Sequence, residues 1–357
     1  MNVFVGMSGG VDSSLTAALL KEQGYDVTGV YMKNWSQDLP GMKCPWKEDY
    51  EDAQRVAVQL DIPFKVYDFQ KEYRHRVVDY MIDGYRRGLT PNPDIMCNQE
   101  VKFKLFLEAS LADGADMIAT GHYARILTDA GAGSAGVSSL HVAANPEKDQ
   151  TYFLYRVTET ALSRSLMPIG EYETKAAVRV EAEKRGLSTA HKKDSQGICF
   201  IGKVGIKDFL LHELGEQPHG AIIDQHGVRV GEHDGAIFYT IGQRQGLGVG
   251  GGLPYYVTGK DMATNEVYVT TDLQDSSLWR NKLDLAQTHW IHNPPELGKT
   301  YAVRTRYRAE PVPATFRQSG AVDGGELLLE QPVRASTPGQ SAVLYDGDTV
   351  LGGGIVV

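Results

Sequence analysis

Short apolar runs alternate with helical patterns through the first 127 residues, and few folds accommodate that order. The runs are short and largely apolar, which is typical of buried strands. The predicted strands are Val3–Val5, Val27–Met32, Phe64–Tyr67 and Met117–Ala119, and the predicted helices are Leu15–Glu22, Tyr50–Leu60 and Phe103–Ala112. Strands and helices that alternate in this way form a parallel sheet covered on both faces, so the sequence predicts a doubly wound α/β domain.

The second half of the chain has a different pattern. Helical patterns return from Thr151 to Arg185, and beyond about Gly202 glycines and turn residues separate short β-rich runs. We therefore expect an N-terminal α/β domain over 1–204, a small central β-rich domain over 205–275 and a C-terminal β-rich domain over 276–357. The small and polar residues 128–139 predict a mobile tip between two short strands rather than a domain linker.

Length and charge limit the classes of protein to which this chain can belong. A chain of 357 residues with 42% hydrophobic and 23% charged residues is long enough for two or three globular domains. The net charge of −9 argues against a protein that coats nucleic acid non-specifically. Residues 151–207 nevertheless carry ten Lys/Arg against six Asp/Glu, so a chosen polyanion could dock there. The absence of long apolar runs predicts a soluble, cytoplasmic protein without a membrane partner.

A glycine-rich loop stands between the first strand and the first helix. Its residues are Gly6, Met7, Ser8, Gly9, Gly10, Val11, Asp12 and Ser13. Glycines let a ligand approach the backbone, and N–H groups at a helix start bind phosphate. The loop fits neither a Walker A motif nor G-x-G-x-x-G, and the simpler alternative is a glycine turn with a serine cap. Open α/β sheets bind ligands at the carboxyl ends of strands, so Met32 and Gly121 are expected beside the loop.

The cysteines Cys44, Cys97 and Cys199 are too far apart in sequence for a disulfide framework or a local metal pair, and we expect no protein-held metal. Cys97 is predicted at the start of the helix that carries Lys102, a setting that favours the thiolate. Asp94 is within local reach to move a proton. Cys199 follows a basic pair and has a weaker version of the same setting. For both, the alternative is a buried structural cysteine.

Seven motifs occur in an order that points to one family. They are Ser8–Ser14, Met32–Trp35, Asn92–Asn98, Ala119–Tyr123, Lys148–Tyr152, Gly197–Phe200 and Thr337–Gln340. The first resembles the pyrophosphate loop of the ATP pyrophosphatases, which split ATP between the α and β phosphates. Together, over essentially the whole chain, the seven resemble the tRNA-specific 2-thiouridylases. This resemblance implies an adenine nucleotide alpha hydrolase-like N-terminal domain, a small central β-rich domain and a C-terminal β-barrel that binds tRNA.

The same resemblance implies the reaction. Sulfur would be transferred to C2 of the wobble uridine in the tRNAs for Lys, Glu and Gln, after ATP and Mg²⁺ have adenylated the C2 oxygen. Cys199 would carry the sulfur as a persulfide and Cys97 would be its partner thiol. A Cys97–Cys199 disulfide would form, and an external reductant would reopen it. The sulfur donor would be a cysteine desulfurase or a relay protein, and the chain would act as a monomer.

The resemblance also implies which residues contact tRNA. They are Asn92, Pro93, Asp94, His122, Lys148, Asp149, Gln150, Arg306, Tyr307, Arg308 and Gln340. The first three would touch the target base, which must leave its stack to reach such a pocket. Residues 302–308 are predicted as a strand that puts Arg304, Arg306 and Arg308 on one face, which suits a phosphate backbone. The alternative for these arginines is a solvated strand face.

Two other functions fit part of the sequence. A small-molecule ATP pyrophosphatase, such as an amidating ligase of the same superfamily, would share the loop and the sheet but would need no pair of reactive thiols. It would make AMP without tRNA. A redox-sensitive RNA-binding protein would use the nucleotide site only as a switch and would bind ATP without splitting it. Fold-level similarity does not separate these functions, because function depends on the site.

Overall fold

The computed structural model describes residues 1–39, 44–129, 136–193, 205–250, 252–320 and 323–357. Its N-terminal part alternates strands and helices as the sequence predicted. In chain order these are β1 (Asn2–Gly6), α1 (Val11–Glu22), β2 (Asp26–Lys33), α2 (Trp46–Gln59), β3 (Phe64–Asp68), α3 (Gln70–Tyr73), α4 (Asp79–Arg86), α5 (Pro93–Met96), α6 (Phe106–Ala112), β4 (Met117–Ala119), β5 (Arg125–Asp129), β6 (Val137–His141), α7 (Glu159–Leu162), β7 (Ser165–Leu166) and α8 (Lys175–Lys184). Two π-helical segments, Arg74–Val78 and Cys97–Leu105, join α3 to α4 and α5 to α6.

Five of these strands form a parallel sheet in the order β3-β2-β1-β4-β7. Neighbouring strands are in register, with Val3 opposite both Val27 and Met117. Alternate residues of β1 face opposite sides: Val3 and Val5 belong to a core with α1, α2 and α8, whereas Phe4 belongs to a core with α6. Burial on both faces explains why the strands are apolar throughout. The predicted doubly wound α/β fold is confirmed.

The helical segment that carries Cys97 begins earlier than the sequence predicted. Asn92 caps it, because the Asn92 side chain accepts hydrogen bonds from the backbone N–H groups of Asp94 at 3.1 Å and Ile95 at 3.4 Å. Pro93 occupies the first helical position, where its missing N–H costs nothing. Cys97 therefore lies one turn inside the helix and is 3% exposed. The prediction that Cys97 stands at a helix N-terminus was wrong.

The central part of the chain forms a four-stranded sheet with its own core. Its elements are α9 (Ile206–Leu214), β8 (Gly220–Ile223), β9 (Arg229–His233), β10 (Tyr256–Asp261) and β11 (Glu266–Thr270). The strand order is β10-β11-β8-β9, with Ile222, Val257 and Val267 fully buried. Helix α9 joins a different core, in which Phe209 and Leu210 pack with residues of α4. The predicted β-rich character of the central domain is confirmed.

The C-terminal strands close into an antiparallel barrel. They are β12 (Trp279–Trp290), β13 (Thr300–Arg304), β14 (Val312–Gln318), β15 (Gly325–Arg334), β16 (Ser341–Asp346) and β17 (Thr349–Val356). Their order is β12-β15-β14-β13-β16-β17, and a further pairing of β12 with β17 closes the ring. Leu283, Val303, Phe316 and Leu344 fill the interior. The expected C-terminal β-barrel is confirmed.

The N-terminal domain and the barrel share a sheet. The hairpin β5–β6 extends the barrel sheet through the pairing of His141 with Thr349. These two strands flank the predicted tip, of which residues 130–135 lie outside the described part. The buried Tyr152 hydroxyl donates to the Ser341 carbonyl at 2.9 Å, and the Tyr155 hydroxyl is 3.1 Å from the Ser341 hydroxyl. These contacts fix the position of the barrel against the N-terminal domain.

The strand predicted over 302–308 is shorter in the structure. Strand β13 ends at Arg304, and the chain then turns, with Arg308 at a φ of 61°. Arg304 pairs with the buried Asp149, whereas Arg306 donates to a carbonyl of another loop. The prediction that the three arginines share one strand face was therefore wrong, because the alternation of a strand stops before the second of them.

The helices of the molecule are short. Helix α2 has 14 residues, and within the described ranges no helix combines the length and apolarity needed to cross a membrane.

Candidate active site

The glycine-rich loop lies where β1 ends and α1 begins. Gly9 has a φ of +72°, and a Cβ atom there would come within 2.3 Å of the Asp49 carbonyl oxygen, so only glycine fits. The Ser8 N–H donates to Ser13 Oγ at 3.1 Å, which folds the loop onto the first turn of α1. Gly10 caps the helix without a side chain over its first N–H groups. A helix start of this kind suits an anion such as phosphate, and we therefore call Gly6–Ser13 the phosphate loop.

Asp12, in the first turn of α1, has a cationic partner from a distant helix. Lys175 Nζ lies 2.6 and 2.7 Å from the two carboxylate oxygens of Asp12. The Tyr123 hydroxyl donates to Asp12 Oδ1 at 2.8 Å, and Lys175 Nζ is 5.5 Å from the centre of the Tyr123 ring. Lys175 is the first residue of α8, so the start of that helix supplies positive charge beside the phosphate loop.

Met32 and Gly121 lie beside the loop, where the sequence predicted them. Met32 is near the carboxyl end of β2, and its Cε is 2.9 Å from the position that a Cβ on Gly6 would occupy. Gly121 follows β4, and a Cβ there would lie 2.8 Å from the Ser13 nitrogen. Glycine at positions 6 and 121 leaves no side chain in the way, so the ends of the strands and the loop can touch. The contact of Met32 and Gly121 with a nucleotide stays a prediction.

Asp94 and Cys97 share one face of their helical segment, because residues three apart on a helix are neighbours. Burial raises the pKa of the Asp94 carboxyl, and the positive charge of Lys102 offsets part of that rise. Cys97 packs in an apolar core with Met81 and Phe209. The carboxyl therefore holds a proton to higher pH than an exposed aspartate does, which suits proton transfer beside a thiol.

His122 connects the phosphate loop with the Cys97 helix. The ring is 7% exposed, with Nδ1 2.8 Å from Thr120 Oγ1 and Nε2 3.4 Å from Lys102 Nζ. An ammonium group only donates, so Nε2 accepts and the ring proton is on Nδ1. Burial and, after it, the Lys102 charge lower the pKa of His122 well below its ordinary value. The ring is thus a neutral acceptor for Lys102, and its contact with tRNA stays a prediction.

Cys199 lies outside the described residues, and so does the predicted Cys97–Cys199 disulfide. The described chain before it ends at residue 193. There Lys192 Nζ is 2.7 Å from carboxylate oxygens of both Asp49 and Asp52. Asp49 is also the residue whose carbonyl faces Gly9. The chain at Lys192 is therefore held next to the phosphate loop.

The predicted tRNA contacts Lys148 and Gln150 differ from each other in their surroundings. Lys148 lines a cleft of about 320 Å³ together with Thr174 and Lys175, so this cleft adjoins the partner of Asp12. Gln150 Oε1 accepts the Tyr123 N–H at 2.9 Å. Lys148 is half-buried at the cleft, whereas the Gln150 side chain holds the segment after Gly121. RNA contact by either residue stays a prediction.

Asp149 is buried and links two domains. It is 3% exposed, and it accepts hydrogen bonds from the Ala143 N–H at 3.1 Å and the Thr151 hydroxyl at 2.8 Å. Arg304, at the end of β13 in the barrel, lies 3.0 Å from Asp149 Oδ2. Protein groups thus occupy both carboxylate oxygens, and the described structure gives Asp149 a structural role. Its contact with tRNA would require these bonds to open.

Arg306, Tyr307 and Arg308 form a turn at the edge of the barrel. Arg306 donates to the Ala335 carbonyl. The Tyr307 ring centre is 4.5 Å from that of Phe153, and the Arg308 guanidinium lies 5.0 Å from the Tyr307 ring centre. Arg306 and Arg308 are exposed. Exposed arginines around an aromatic ring suit RNA, because guanidinium groups bind phosphates and rings stack on bases.

The predicted contacts at Asn92, Pro93 and Gln340 meet at one loop. Asn92 is half-buried and its side-chain oxygen caps the helix, while Pro93 is buried at the first helical position. The Gln340 amide, from the barrel, donates to the Thr90 carbonyl at 2.6 Å. The structure therefore brings Gln340 to the segment that precedes Asp94. The tRNA contacts of these residues stay predictions.

The described residues contain no group of three or more His, Cys, Asp or Glu side chains arranged to hold a metal ion. Mg²⁺ that arrives with a nucleotide needs fewer protein ligands, because the phosphates and waters supply most of its ligands and the protein adds one or two carboxylates. Asp12 supplies a carboxylate within the phosphate loop and fits that requirement. Asp12 would hold Mg²⁺ bound to ATP only if its pair with Lys175 opens, because Lys175 Nζ occupies both carboxylate oxygens.

Sequence reasoning missed two contacts of this site. Lys175 and Asp12 are 163 positions apart, and Thr90 and Gln340 are 250 apart. Neither Lys175 nor Thr90 belongs to a short motif with chemistry of its own. The one signal for Lys175 is the Thr174 cap before a helix, which predicts a helix start but not what the helix start faces.

Three family models match consecutive parts of the chain. They are described as tRNA methyl transferase HUP domain over residues 1–203, tRNA methyl transferase PRC-barrel domain over 207–271 and Aminomethyltransferase beta-barrel domain over 280–356. Among solved structures, NMN synthetase from Francisella tularensis is similar with a TM-score of 0.35 at 15% identity, over 54% of this chain and 66% of that one. An NH3-dependent NAD synthetase from Campylobacter jejuni gives 0.32 at 17% identity, over 52% and 65%.

Curated relatives match along nearly the whole chain. The tRNA-specific 2-thiouridylase MnmA of Streptococcus thermophilus is 45% identical over 360 residues, which are 99% of this chain and 94% of the relative. That of Bacillus subtilis is 45% identical over 357 residues, with the same shares of both chains. The MnmA 2 protein of Geobacillus kaustophilus is 46% identical over 358 residues, again 99% and 94%. This chain therefore belongs to the tRNA-specific 2-thiouridylases, a family of sulfurtransferases that act on tRNA.

Proposed function

We propose that this chain uses ATP and Mg²⁺ to 2-thiolate the wobble uridine of the tRNAs for Lys, Glu and Gln, and that it releases AMP and pyrophosphate. The observation that carries this proposal is the unbroken contact from the phosphate loop to the helix of Cys97. Gly121 touches the loop at Ser13, His122 follows it in the chain, and Lys102 of the Cys97 helix reaches His122. A nucleotide on the loop and a base near Cys97 would thus occupy neighbouring sites.

Adenylation comes first. The C2 oxygen of uridine is a poor leaving group, so it attacks the α phosphorus of ATP, the bond to pyrophosphate breaks, and the oxygen becomes an ester of AMP. The loop Gly6–Ser13 would bind the phosphates, with the N–H groups at the start of α1 stabilising the charge of pyrophosphate. Met32 and Gly121 would contact the nucleotide. Asp12, once released from Lys175, would hold Mg²⁺, which would neutralise part of the phosphate charge.

Sulfur transfer follows. The terminal sulfur of a Cys199 persulfide attacks C2, the bond from C2 to the adenylated oxygen breaks, and AMP leaves. The Cys97 thiolate then attacks Cys199 Sγ, so the sulfur–sulfur bond to the base breaks and its electron pair forms the C2 thiocarbonyl. The product on the protein is a Cys97–Cys199 disulfide, which an external dithiol reduces with two electrons and two protons. Asp94 would accept the proton that Cys97 loses.

Substrate contact would involve two of the three predicted domains, 1–204 and 276–357, whereas the central domain 205–275 supplies none of the proposed contacts. Around the target base, Asn92, Pro93 and Asp94 would form the pocket into which it flips. The contacts outside that pocket would come from His122, Lys148, Asp149, Gln150, Arg306, Tyr307, Arg308 and Gln340. A cysteine desulfurase or a sulfur-relay protein would load Cys199. We propose a cytoplasmic monomer as the working form.

One assay tests the reaction. Purified protein is mixed with labelled ATP, Mg²⁺ and a cysteine desulfurase with free cysteine as the persulfide source, with and without unthiolated tRNA for Lys, Glu or Gln. AMP release and retardation of the tRNA on a mercury gel are followed together. We expect both to require tRNA. AMP without tRNA would instead indicate a small-molecule ligase, and binding of ATP without hydrolysis would indicate a binding protein.

Cysteine variants test the relay. Cys97→Ser and Cys199→Ser should each abolish thiolation and leave tRNA binding intact, whereas Cys44→Ser is the matched control and should thiolate normally. Normal thiolation by either of the first two variants would refute the persulfide relay.

A further inference from the structure

Thr90 is held by both of the other domains. Its N–H donates to the Pro338 carbonyl at 2.9 Å, and its carbonyl accepts from the Gln340 amide at 2.6 Å, both in the barrel. Its hydroxyl lies 3.3 Å from the Thr240 hydroxyl of the central domain. The residue is 8% exposed. Three polar groups of one buried residue of the N-terminal domain are thus paired by residues at least 150 positions away in sequence.

The barrel turn that reaches Thr90 fits it closely. Gly339, between Pro338 and Gln340, has a φ of +93°, which disfavours other residues. A Cβ atom on Gly339 would lie 2.8 Å from the Thr90 nitrogen and 3.0 Å from Leu89 Cβ. The nearest of these atoms belongs to the backbone, so it cannot move aside as a flexible side chain would. The turn and the segment at Thr90 therefore pack as rigid partners.

A displacement of Thr90 would be transmitted along the chain. The next residues are Pro91, Asn92 and Pro93, and each proline ring restricts its own φ. Pro91 also packs on α4, where its Cγ is 2.7 Å from the position of a Cβ on Gly84. Asn92 caps the helix that carries Asp94. With both prolines stiff, a shift at Thr90 reaches this cap rather than being absorbed before it.

We propose that the barrel turn Thr337–Gln340 is a positioning element of the active site. In this proposal Gln340 acts through Thr90 on the placement of Asp94 and Cys97, in addition to the tRNA contact proposed above. The barrel would then complete the catalytic site as well as bind substrate. The catalytic part of the test rests on the proposed function above, whereas its structural part does not.

The variants are Gln340→Met, which keeps the side-chain length but removes the donor, and Gly339→Ala, which adds the clashing Cβ. Matched controls come from the same barrel. Gln331 is exposed on β15, so Gln331→Met tests the loss of an amide elsewhere. Gly298 has a φ of +80°, and no atom lies within 4 Å of the position that a Cβ there would occupy, so Gly298→Ala has the backbone strain without the clash.

Hydrogen exchange of the amides from 90 to 98, measured by mass spectrometry on the free protein, is the structural readout. We expect about fivefold faster exchange in Gln340→Met, as for the loss of one hydrogen bond, and faster exchange still in Gly339→Ala. Both controls should exchange like the parent. Unchanged exchange in Gln340→Met would overturn the proposal, and that isosteric variant decides the matter even if Gly339→Ala does not fold.

The catalytic readout is the affinity for tRNA together with the single-turnover rate of thiolation at saturating tRNA. We expect Gln340→Met to lose about tenfold in rate at saturating tRNA, whatever the change in its Kd, because misplaced groups slow the chemical step. A raised Kd with an unchanged rate would show that Gln340 acts only as a tRNA contact, against the proposal. If the parent protein thiolates no tRNA, the proposed function fails while the exchange data still decide the role of the turn.

Discussion

Lys175 Nζ, at the start of α8, lies 2.6 and 2.7 Å from the two carboxylate oxygens of Asp12 in the phosphate loop. The two side chains are 15% and 30% exposed, so water screens the pair only in part. Tyr123 donates to the same carboxylate. The charge of the phosphate loop therefore depends on a lysine far away in sequence, and removal of that lysine would leave a negative charge facing the phosphates of ATP.

Lys175→Met should lower AMP formation by about tenfold or more, because the site loses a cation and the Asp12 charge becomes uncompensated. Labelled ATP with unthiolated tRNA provides the measurement. Lys299→Met is the matched control, since Lys299 pairs with Asp346 at 2.6 Å on the exposed barrel surface. That control should form AMP like the parent. Equal AMP formation by Lys175→Met would show that the pair with Asp12 is structural.

Asp12→Ala should abolish AMP formation, because the phosphate loop then loses the carboxylate proposed to hold Mg²⁺. The same labelled-ATP assay measures this loss, and Asp346→Ala, at the exposed pair on the barrel, is the control. An unaffected ATP split in Asp12→Ala would mean that the loop is not the phosphate site.

The raised pKa of Asp94 predicts a pH dependence of stability. Because burial makes the folded state hold this proton more tightly than the unfolded state, Asp94 stabilises the fold at low pH and loses that contribution as pH rises through its folded pKa. Relative to Asp94→Asn, the parent protein should become less stable between about pH 4 and pH 7 in urea unfolding. A constant difference would contradict the shift.

Asp113 supplies a control of opposite sign. The hydrogen bonds from Lys65 and then from Tyr67 lower the pKa of the Asp113 carboxyl, so this group favours folding above its ordinary pKa and loses that effect as pH falls. Relative to Asp113→Asn, the parent should therefore gain stability as pH rises from about 2 to about 4, that is, up to the ordinary pKa of an aspartate. The two comparisons share one urea-unfolding experiment and differ in the direction of the change and in the pH range where it occurs.

His122 should stay neutral in the folded protein through the pH range in which an ordinary histidine titrates, about 5.5 to 7.5. Burial is the larger cause of the lowered pKa, because it penalises the charged ring. The positive charge of Lys102 lowers the pKa further, because a protonated ring would place a second positive charge beside it. The Cε1 proton resonance of His122 in NMR spectra should not shift over this range, whereas the same resonance in urea-unfolded protein should titrate. Lys102→Met should raise the pKa of His122. A normal titration in the folded parent would refute the buried neutral ring.

Breaking the pair of Asp149 and Arg304 should destabilise the contact of the barrel with the N-terminal domain. The Asp149 side chain is 2% exposed, so Arg304→Met leaves a buried carboxylate without its cation, at a cost of about 3–5 kcal/mol. Urea unfolding measures the loss. Arg308→Met, at an exposed arginine, should change stability by about 0.5 kcal/mol or less. The double variant Asp149→Asn with Arg304→Met should recover much of the loss, and failure to recover would argue against the pair.

Local patterns predicted the first half of the fold well. Val3–Val5, Val27–Met32 and Met117–Ala119 were found as strands within a residue or so of their predicted ends. Such runs are short, apolar on both faces and separated by helices, and those properties depend on neighbouring residues alone. The phosphate loop was predictable for the same reason, since strand, glycines and helix start follow one another without a break.

Two other predictions failed, the first at a local helix cap and the second at a tertiary contact. The helical segment that carries Cys97 starts at Pro93, four residues before Cys97, because Asn92 caps it and Pro93 is tolerated in the first turn. Strand β13 stops at Arg304, where that arginine turns to the buried Asp149. In both places the sequence allowed more than one backbone course, and the choice between them depended on hydrogen bonds that a periodic pattern does not describe.

The sequence by itself determined the parallel sheet, the glycine loop at the end of β1, the β-rich second half and the motifs that point to sulfur transfer to tRNA. Only the tertiary structure decided which charges and backbone groups meet: Lys175 with Asp12, Arg304 with Asp149, and Gln340 with Thr90. The physical reason is the separation along the chain of the residues that interact. Strands, helices and turns follow from interactions between near neighbours in the chain, whereas these pairs join residues more than 150 positions apart, and only the folded chain brings them within hydrogen-bonding distance.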